Sequence, residues 1–126
     1  MIQQFLSICL VVFFSSTGFA FDHQHRLWSD VLREFRDLEG FVYYSKLKNE
    51  GQKPEHAFPK YLQEIQRVTH QEYLKWDQKQ KMAYLINAYN AFTVKLIVDH
   101  YPIASITDIG GWLWWATKKP WKMEFS

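Results

Sequence analysis

Cysteine and long apolar runs are the two features that this chain of 126 residues most clearly lacks. Its one cysteine, Cys9, lies in the apolar start of the sequence, so residues 21–126 can form no disulfide and offer no thiol nucleophile. The apolar run over residues 5–14 is about half as long as a segment that spans a bilayer. A disulfide scaffold is therefore excluded for residues 21–126, and no transmembrane segment is predicted once the start of the chain is removed.

Charge of either sign is also weak. Fifteen Lys and Arg residues face thirteen Asp and Glu residues, which gives a net charge of +2. This balance argues neither for nor against nucleic acid, and we predict no nucleic-acid partner. The sequence has no glycine-rich phosphate loop and no zinc-ligand pattern, and no cofactor can be predicted from it.

The first twenty residues have the pattern of a secretory signal. The apolar run is followed by a short polar stretch that ends in Gly18 and Ala20, the two positions that signal peptidase reads. We predict a signal peptide over residues 1–20, cleavage after Ala20, and a periplasmic or extracellular location. An uncleaved membrane anchor is the alternative, and the short apolar run argues against it.

Apolar residues recur at helical spacing through most of residues 21–126, a length that suits one domain with one core. Helices are predicted over 25–38, 59–69 and 77–100, with a short helical turn at 71–76. Residues 41–44 are predicted as a short extended segment, followed by a polar loop through residue 54. The predicted fold class is mainly α, with three or four helices and one short extended segment.

The helix over 77–100 carries the strongest signals. Asp77 is a good N-cap, Gln80 completes a capping box, and Pro102 ends the helix. Its larger apolar side chains are predicted to form one buried stripe at the centre of the core: Met82, Leu85, Ile86, Tyr89, Phe92, Leu96 and Ile97.

Asn87 and Asn90 adjoin this stripe, because residues three apart share one side of a helix. An unpaired buried amide costs about 1–3 kcal/mol. The two amides are therefore expected either to clamp the backbone of a neighbouring segment or to line a polar pocket and orient a ligand or catalytic group. Tyr84 and Tyr89 are further candidates for such a structural or ligand-orienting role.

One segment also resembles a known family. The strings AYLINAYNAFTVKLI (83–97), HYP (100–102) and SI (105–106) resemble the signature of the family called domain of unknown function 547. The strings FDH (21–23), GFV (40–42) and PW (120–121) agree in order and spacing. The resemblance therefore covers nearly all of residues 21–126, which it identifies as the N-terminal part of that domain.

The resemblance implies an α+β domain with about as many residues again, including a histidine and paired cysteines. None of these segments follows Ser126 in the sequence. The resemblance therefore implies that the chain is truncated, and that its helices expose surfaces that the rest of the domain covers.

Cleavage after Ala20 would create one candidate metal site. The free amine of Phe21, two backbone amides and the imidazole of His23 could bind Cu(II) or Ni(II) in a square plane. An ordinary structural role for Asp22 and His23 is the alternative.

The end of the sequence holds a cluster of tryptophans interleaved with lysines. This composition suits a binding surface for a bilayer interface or for sugars, but we favour packing against the core or another domain. The four tryptophans are Trp112, Trp114, Trp115 and Trp121.

Two functions are consistent with these observations. The first is a non-catalytic binding or structural module of the cell envelope, acting on an unknown envelope partner or small ligand. The alternative is a thiol-dependent hydrolase or transferase whose nucleophile lies in a missing C-terminal half.

Overall fold

A computed structural model describes residues 18–109 of the chain. The predicted signal residues 1–17 and the tryptophan cluster of residues 112–121 lie outside the described residues. The described part is mainly helical, as predicted, and contains only an isolated β-bridge in place of strands. Its helices are α1 (Arg26–Phe35), α2 (Tyr44–Glu50), α3 (Ala57–Arg67), α4 (His70–Leu74) and α5 (Gln78–His100).

Four of the helices enclose one core. Helix α1 packs on α3 and α2, and α5 packs on both α2 and α3. The residues with the least exposure come from all four of these helices and are mostly aromatic or branched: Val31, Phe35, Leu47, Phe58, Tyr61, Ile65, Tyr84, Ala88, Ala91 and Val98.

Helix α1 ends three residues earlier than predicted. After Phe35 the chain turns through Asp37, whose carboxylate accepts hydrogen bonds from the backbone N–H groups of Glu39 and Phe41. Gly40 has φ +96°, a conformation that favours glycine. Because of this turn, Leu38 projects into solvent and does not continue the buried face of α1.

The predicted extended segment is shorter than expected. Val42 forms one antiparallel bridge with Arg36, and α2 then begins at Tyr44, where a polar loop was predicted. Most of α2 is polar, and Leu47 is its one fully buried side chain. A helix with so narrow an apolar face gives little periodic signal in the sequence.

Helices α3 and α4 match their predictions within about two residues. The apolar residues that recur at helical spacing within the predicted range 59–69 are all buried: Tyr61, Leu62, Ile65 and Val68. Helix α4 is capped by Thr69, whose side chain accepts a hydrogen bond from the Glu72 backbone. This five-residue helix places Glu72 beside Phe21 and Tyr73 beside Tyr84 of α5.

The capping box of α5 is confirmed, since the Asp77 and Gln80 side chains each accept the other's backbone N–H. The predicted buried stripe is wrong for four of its seven residues, while Phe92, Leu96 and Ile97 are half-buried. Met82, Leu85, Ile86 and Tyr89 are exposed, and the buried face consists of other residues: Tyr84, Ala88, Ala91, Val94 and Val98. Both sides of α5 are apolar, and the side with the smaller residues lies against α2 and α3 because it permits closer helix packing.

Gly51 provides a test of packing at the end of α2. It is buried, and a Cβ on Gly51 would lie 2.5 Å from Leu47 Cδ1 and 2.8 Å from Phe35 Cζ. We expect Gly51→Ala to lower the free energy of unfolding by about 1–3 kcal/mol through overpacking. Ser45→Ala on the exposed side of α2 is the matched control. Equal urea midpoints for the two variants would contradict this packing.

Candidate functional site

The first candidate site surrounds Phe21. This residue is 5% exposed, whereas Ala20 before it is exposed. Its ring lies 5.3 Å from the ring of Trp76 and 5.3 Å from that of Tyr84, measured between centroids. Its backbone N–H donates a hydrogen bond of 3.2 Å to Glu72 Oε1. The segment before α1 is thus anchored on α4 and on the start of α5.

His25 extends this site towards α3. It has a left-handed backbone with φ 49°, which places its ring 5.2 Å from the ring of Phe21. A buried hydrogen bond of 2.7 Å joins His25 Nδ1 to the Tyr61 hydroxyl. His25 Nε2 is buried and has no hydrogen-bond partner within residues 18–109. Burial is the main cause that lowers the pKa of His25, and it outweighs the opposite effect of the Asp22 carboxylate.

The tyrosines of this site stay protonated at neutral pH. Burial raises the pKa of Tyr84 to about 12, and it raises the pKa of Tyr61 even further. The Tyr84 hydroxyl donates a buried hydrogen bond of 2.8 Å to the Ile65 carbonyl. Tyr84 therefore ties α5 to α3, which is consistent with a structural role.

His23 lies at the edge of the same site. Its ring centroid is 4.6 Å from that of Trp76, and its Nδ1 atom is buried without a hydrogen-bond partner among the described residues. A square-planar metal site would also need the Phe21 nitrogen, which here bonds to Glu72. Metal binding at His23 stays a prediction, and it would compete with the anchoring of Phe21.

The second candidate site is the outward face of α5, which we define as Met82, Leu85, Ile86 and Tyr89. Met82 is 58% exposed and Ile86 is 52% exposed. The four residues are spaced i, i+3, i+4 and i+7, so they form one continuous apolar surface along two turns. Phe92 continues this surface and is half-buried against the core.

Asn87 and Asn90 lie between the two faces of α5. Asn87 is half-buried and Asn90 is exposed. Neither amide forms a side-chain hydrogen bond within residues 18–109, so the expected clamp on a neighbouring segment is not formed by this part of the chain. Asn90 follows Ile86 by one turn and borders the outward face of α5.

Comparison of the chain with protein-family models, curated proteins and solved structures finds no match. The family resemblance therefore stays a prediction. None of the helices in residues 18–109 has the length and apolar character to cross a membrane. This part of the chain also contains no group of three or more His, Cys, Asp or Glu side chains that could hold a metal ion.

The sequence did not indicate the pairing of Phe21 with Glu72, which lie 51 residues apart. The available signal was an aromatic residue directly after the predicted cleavage site. The sequence did single out Asn87, Asn90, Tyr84 and Tyr89, and the structure separates them: Tyr84 faces the core, whereas Tyr89 lies on the outward face.

The asparagines and Tyr84 can be distinguished by their effect on stability. Tyr84→Phe leaves the buried Ile65 carbonyl without its donor and should lower the free energy of unfolding by about 1–3 kcal/mol. The single substitutions Asn87→Ala and Asn90→Ala should each change the free energy of unfolding by less than about 0.5 kcal/mol. Urea unfolding measures all three variants. A larger loss for Asn87→Ala than for Tyr84→Phe would show that the Asn87 amide does have a partner.

His25 should make the fold sensitive to acid. The unfolded state binds a proton near pH 6.5, whereas burial lowers the pKa of folded His25. Between those two pKa values the unfolded state holds more protons, so stability should fall as pH falls below about 6.5. His25→Asn keeps a residue that tolerates φ 49° and removes the imidazole. Urea midpoints at pH 7.5 and 5.5 should differ less for His25→Asn than for the parent, and an equal difference would refute the role of His25.

Proposed function

We propose that this chain supplies the helical half of an exported α+β domain of the cell envelope, and that it acts as a non-catalytic binding or structural module. The observation that carries the proposal is the outward face of α5, where large apolar side chains are exposed. The proposal assigns one occupant to this face, the remainder of the same domain.

Helix α5 is apolar on two opposite sides, which supports the proposal that the rest of the domain covers its outward face. A helix that is apolar on opposite sides is typical of a domain interior, where it has packing partners on both sides. One side of α5 already packs on α2 and α3. Covering Met82, Leu85 and Ile86 with a further layer would stabilise the domain by about 1.5–3 kcal/mol for each side chain that becomes fully buried.

Continuity with the existing core favours the same domain over a separate protein. Phe92 packs against the described core and lies on the same side of α5 as Leu85 and Tyr89. A layer over the outward face would therefore extend the core that Phe92 already contacts. The Asn90 amide at the border of this face would then have backbone groups of the second layer within reach.

The start of the fold supports the export part of the proposal. Gly18, Phe19 and Ala20 are exposed, with the Phe19 ring in contact with Arg67 at the surface, and the buried core begins at Phe21. The peptide bond that signal peptidase would cleave thus lies immediately outside the packed structure. Removal of residues 1–20 would leave all five helices intact.

Thiol labelling tests the covered face in the native protein. Ile86→Cys places a label site on the outward face of α5, and Gln63→Cys is a matched exposed control on α3. Each variant is labelled with a maleimide in two forms, the protein isolated from its native host and the recombinant segment 21–126. We expect Cys at position 86 to react at least about ten times more slowly in the native form, and Cys at position 63 to react equally in both.

The intact mass of the native protein completes this test. Protection of position 86 in a chain much heavier than the 15.2 kDa printed sequence would support the proposal. Equal labelling in both forms would overturn it. Protection without additional mass would also overturn it, because the cover would then be a second copy or a separate protein.

A further inference from the structure

We infer that removal of the leader creates a partly buried ion pair between the new α-amine of Phe21 and the carboxylate of Glu72. This inference rests on the cleavage after Ala20 that is part of the proposed function. The Phe21 nitrogen already donates a hydrogen bond of 3.2 Å to Glu72 Oε1 in the uncleaved chain. Cleavage would change the charge on that nitrogen without requiring its movement.

The aromatic surroundings hold this nitrogen in place. The Phe21 ring is buried and contacts the rings of His25, Trp76 and Tyr84, with centroids 5.2–5.3 Å apart. These contacts do not involve residues 1–20. They therefore remain after cleavage and keep the new terminus beside Glu72.

The Glu72 carboxylate is positioned to pair with the new ammonium group. Its backbone N–H is bonded to the Thr69 side chain, which fixes it in the first turn of α4. The side chain is half-buried, and within residues 18–109 it forms no salt bridge. Phe21 is the residue whose nitrogen reaches its carboxylate in this part of the chain.

Cleavage converts a hydrogen bond from a neutral donor to the Glu72 carboxylate into an ion pair, in which donor and acceptor are both charged. Signal peptidase breaks the C–N bond between Ala20 and Phe21, and water supplies a hydroxyl to the Ala20 carbonyl carbon and a hydrogen to the Phe21 nitrogen. The resulting amine has an ordinary pKa of about 8 and takes up a further proton at neutral pH. The bond to the carboxylate is charge-assisted in both forms, and the new ammonium group adds a Coulomb attraction that partial burial protects from screening by salt.

The ion pair makes the processed protein more stable than its precursor. It joins Phe21 to α4 and so helps to hold the Phe21 ring against Trp76 and Tyr84. The exported chain would therefore gain stability at the step that removes its leader.

A double-mutant cycle on the processed chain, residues 21–126, tests the ion pair. The chain is prepared with a free α-amine or with an acetylated one, each with Glu72 or with Glu72→Gln. Acetylation restores the neutral amide of the precursor and retains its N–H. We expect acetylation to lower Tm by about 4 °C or more in the parent and by less than about 1 °C in Glu72→Gln.

Glu39→Gln is the matched control, because Glu39 is an exposed carboxylate in the turn after α1. Acetylation should lower Tm in this variant as much as in the parent. An equal fall in Glu72→Gln, or no fall in the parent, would overturn the inference.

Amine reactivity gives a second measurement that needs no variant. With acetic anhydride at neutral pH, the Phe21 α-amine should react at least about ten times more slowly in the folded chain than in urea, while exposed lysines such as Lys79 change little. An unprotected α-amine would overturn the inference.

The chains in these experiments all begin at Phe21, so the outcome does not depend on whether the native protein is exported and cleaved. N-terminal sequencing of the native exported protein tests cleavage separately. A terminus other than Phe21 would overturn both the cleavage and the ion pair, whereas a Phe21 terminus with a failed cycle would overturn the ion pair alone.

Discussion

The close packing of α5 against α2 and α3 is the constraint on which the rest of this structure depends. Ala88 and Ala91 at the centre of the contact are almost completely buried, and their small side chains let the helices approach. The same rotation of α5 buries Tyr84 and turns Met82, Leu85, Ile86 and Tyr89 away from the core. The exposed apolar face of α5 is thus a direct consequence of the packing that forms the core.

The anchoring of Phe21 depends on the same helix. Tyr84 bonds to α3 through the Ile65 carbonyl and presents its ring to Phe21, so the first turns of α5 connect the start of the chain to the core. Trp76, just before the N-cap of α5, packs directly on the Phe21 ring. The segment before α1 is therefore ordered through aromatic contacts that are distant in sequence.

The features that could be predicted from the sequence were those set by local chemistry. The Asp77–Gln80 capping box fixed the start of α5, and helical spacing identified the buried residues of α3. The orientation of α5 could not be predicted in this way, because apolar residues occur on both of its sides and periodicity does not say which side meets the core. The bond from Phe21 to Glu72 had no local signal, since it joins residues 51 positions apart.

The two candidate sites are linked through one rigid element. Tyr84 faces the anchored start of the chain, and Leu85 beside it belongs to the outward face of α5. If the anchor of Phe21 is lost, the first turns of α5 lose contacts on their inner side, and the outward face loses the fixed helical spacing that a covering layer needs. The two proposals therefore meet on one helix: an ion pair that held Phe21 against Trp76 and Tyr84 would also support the turn of α5 that carries Leu85 and Ile86.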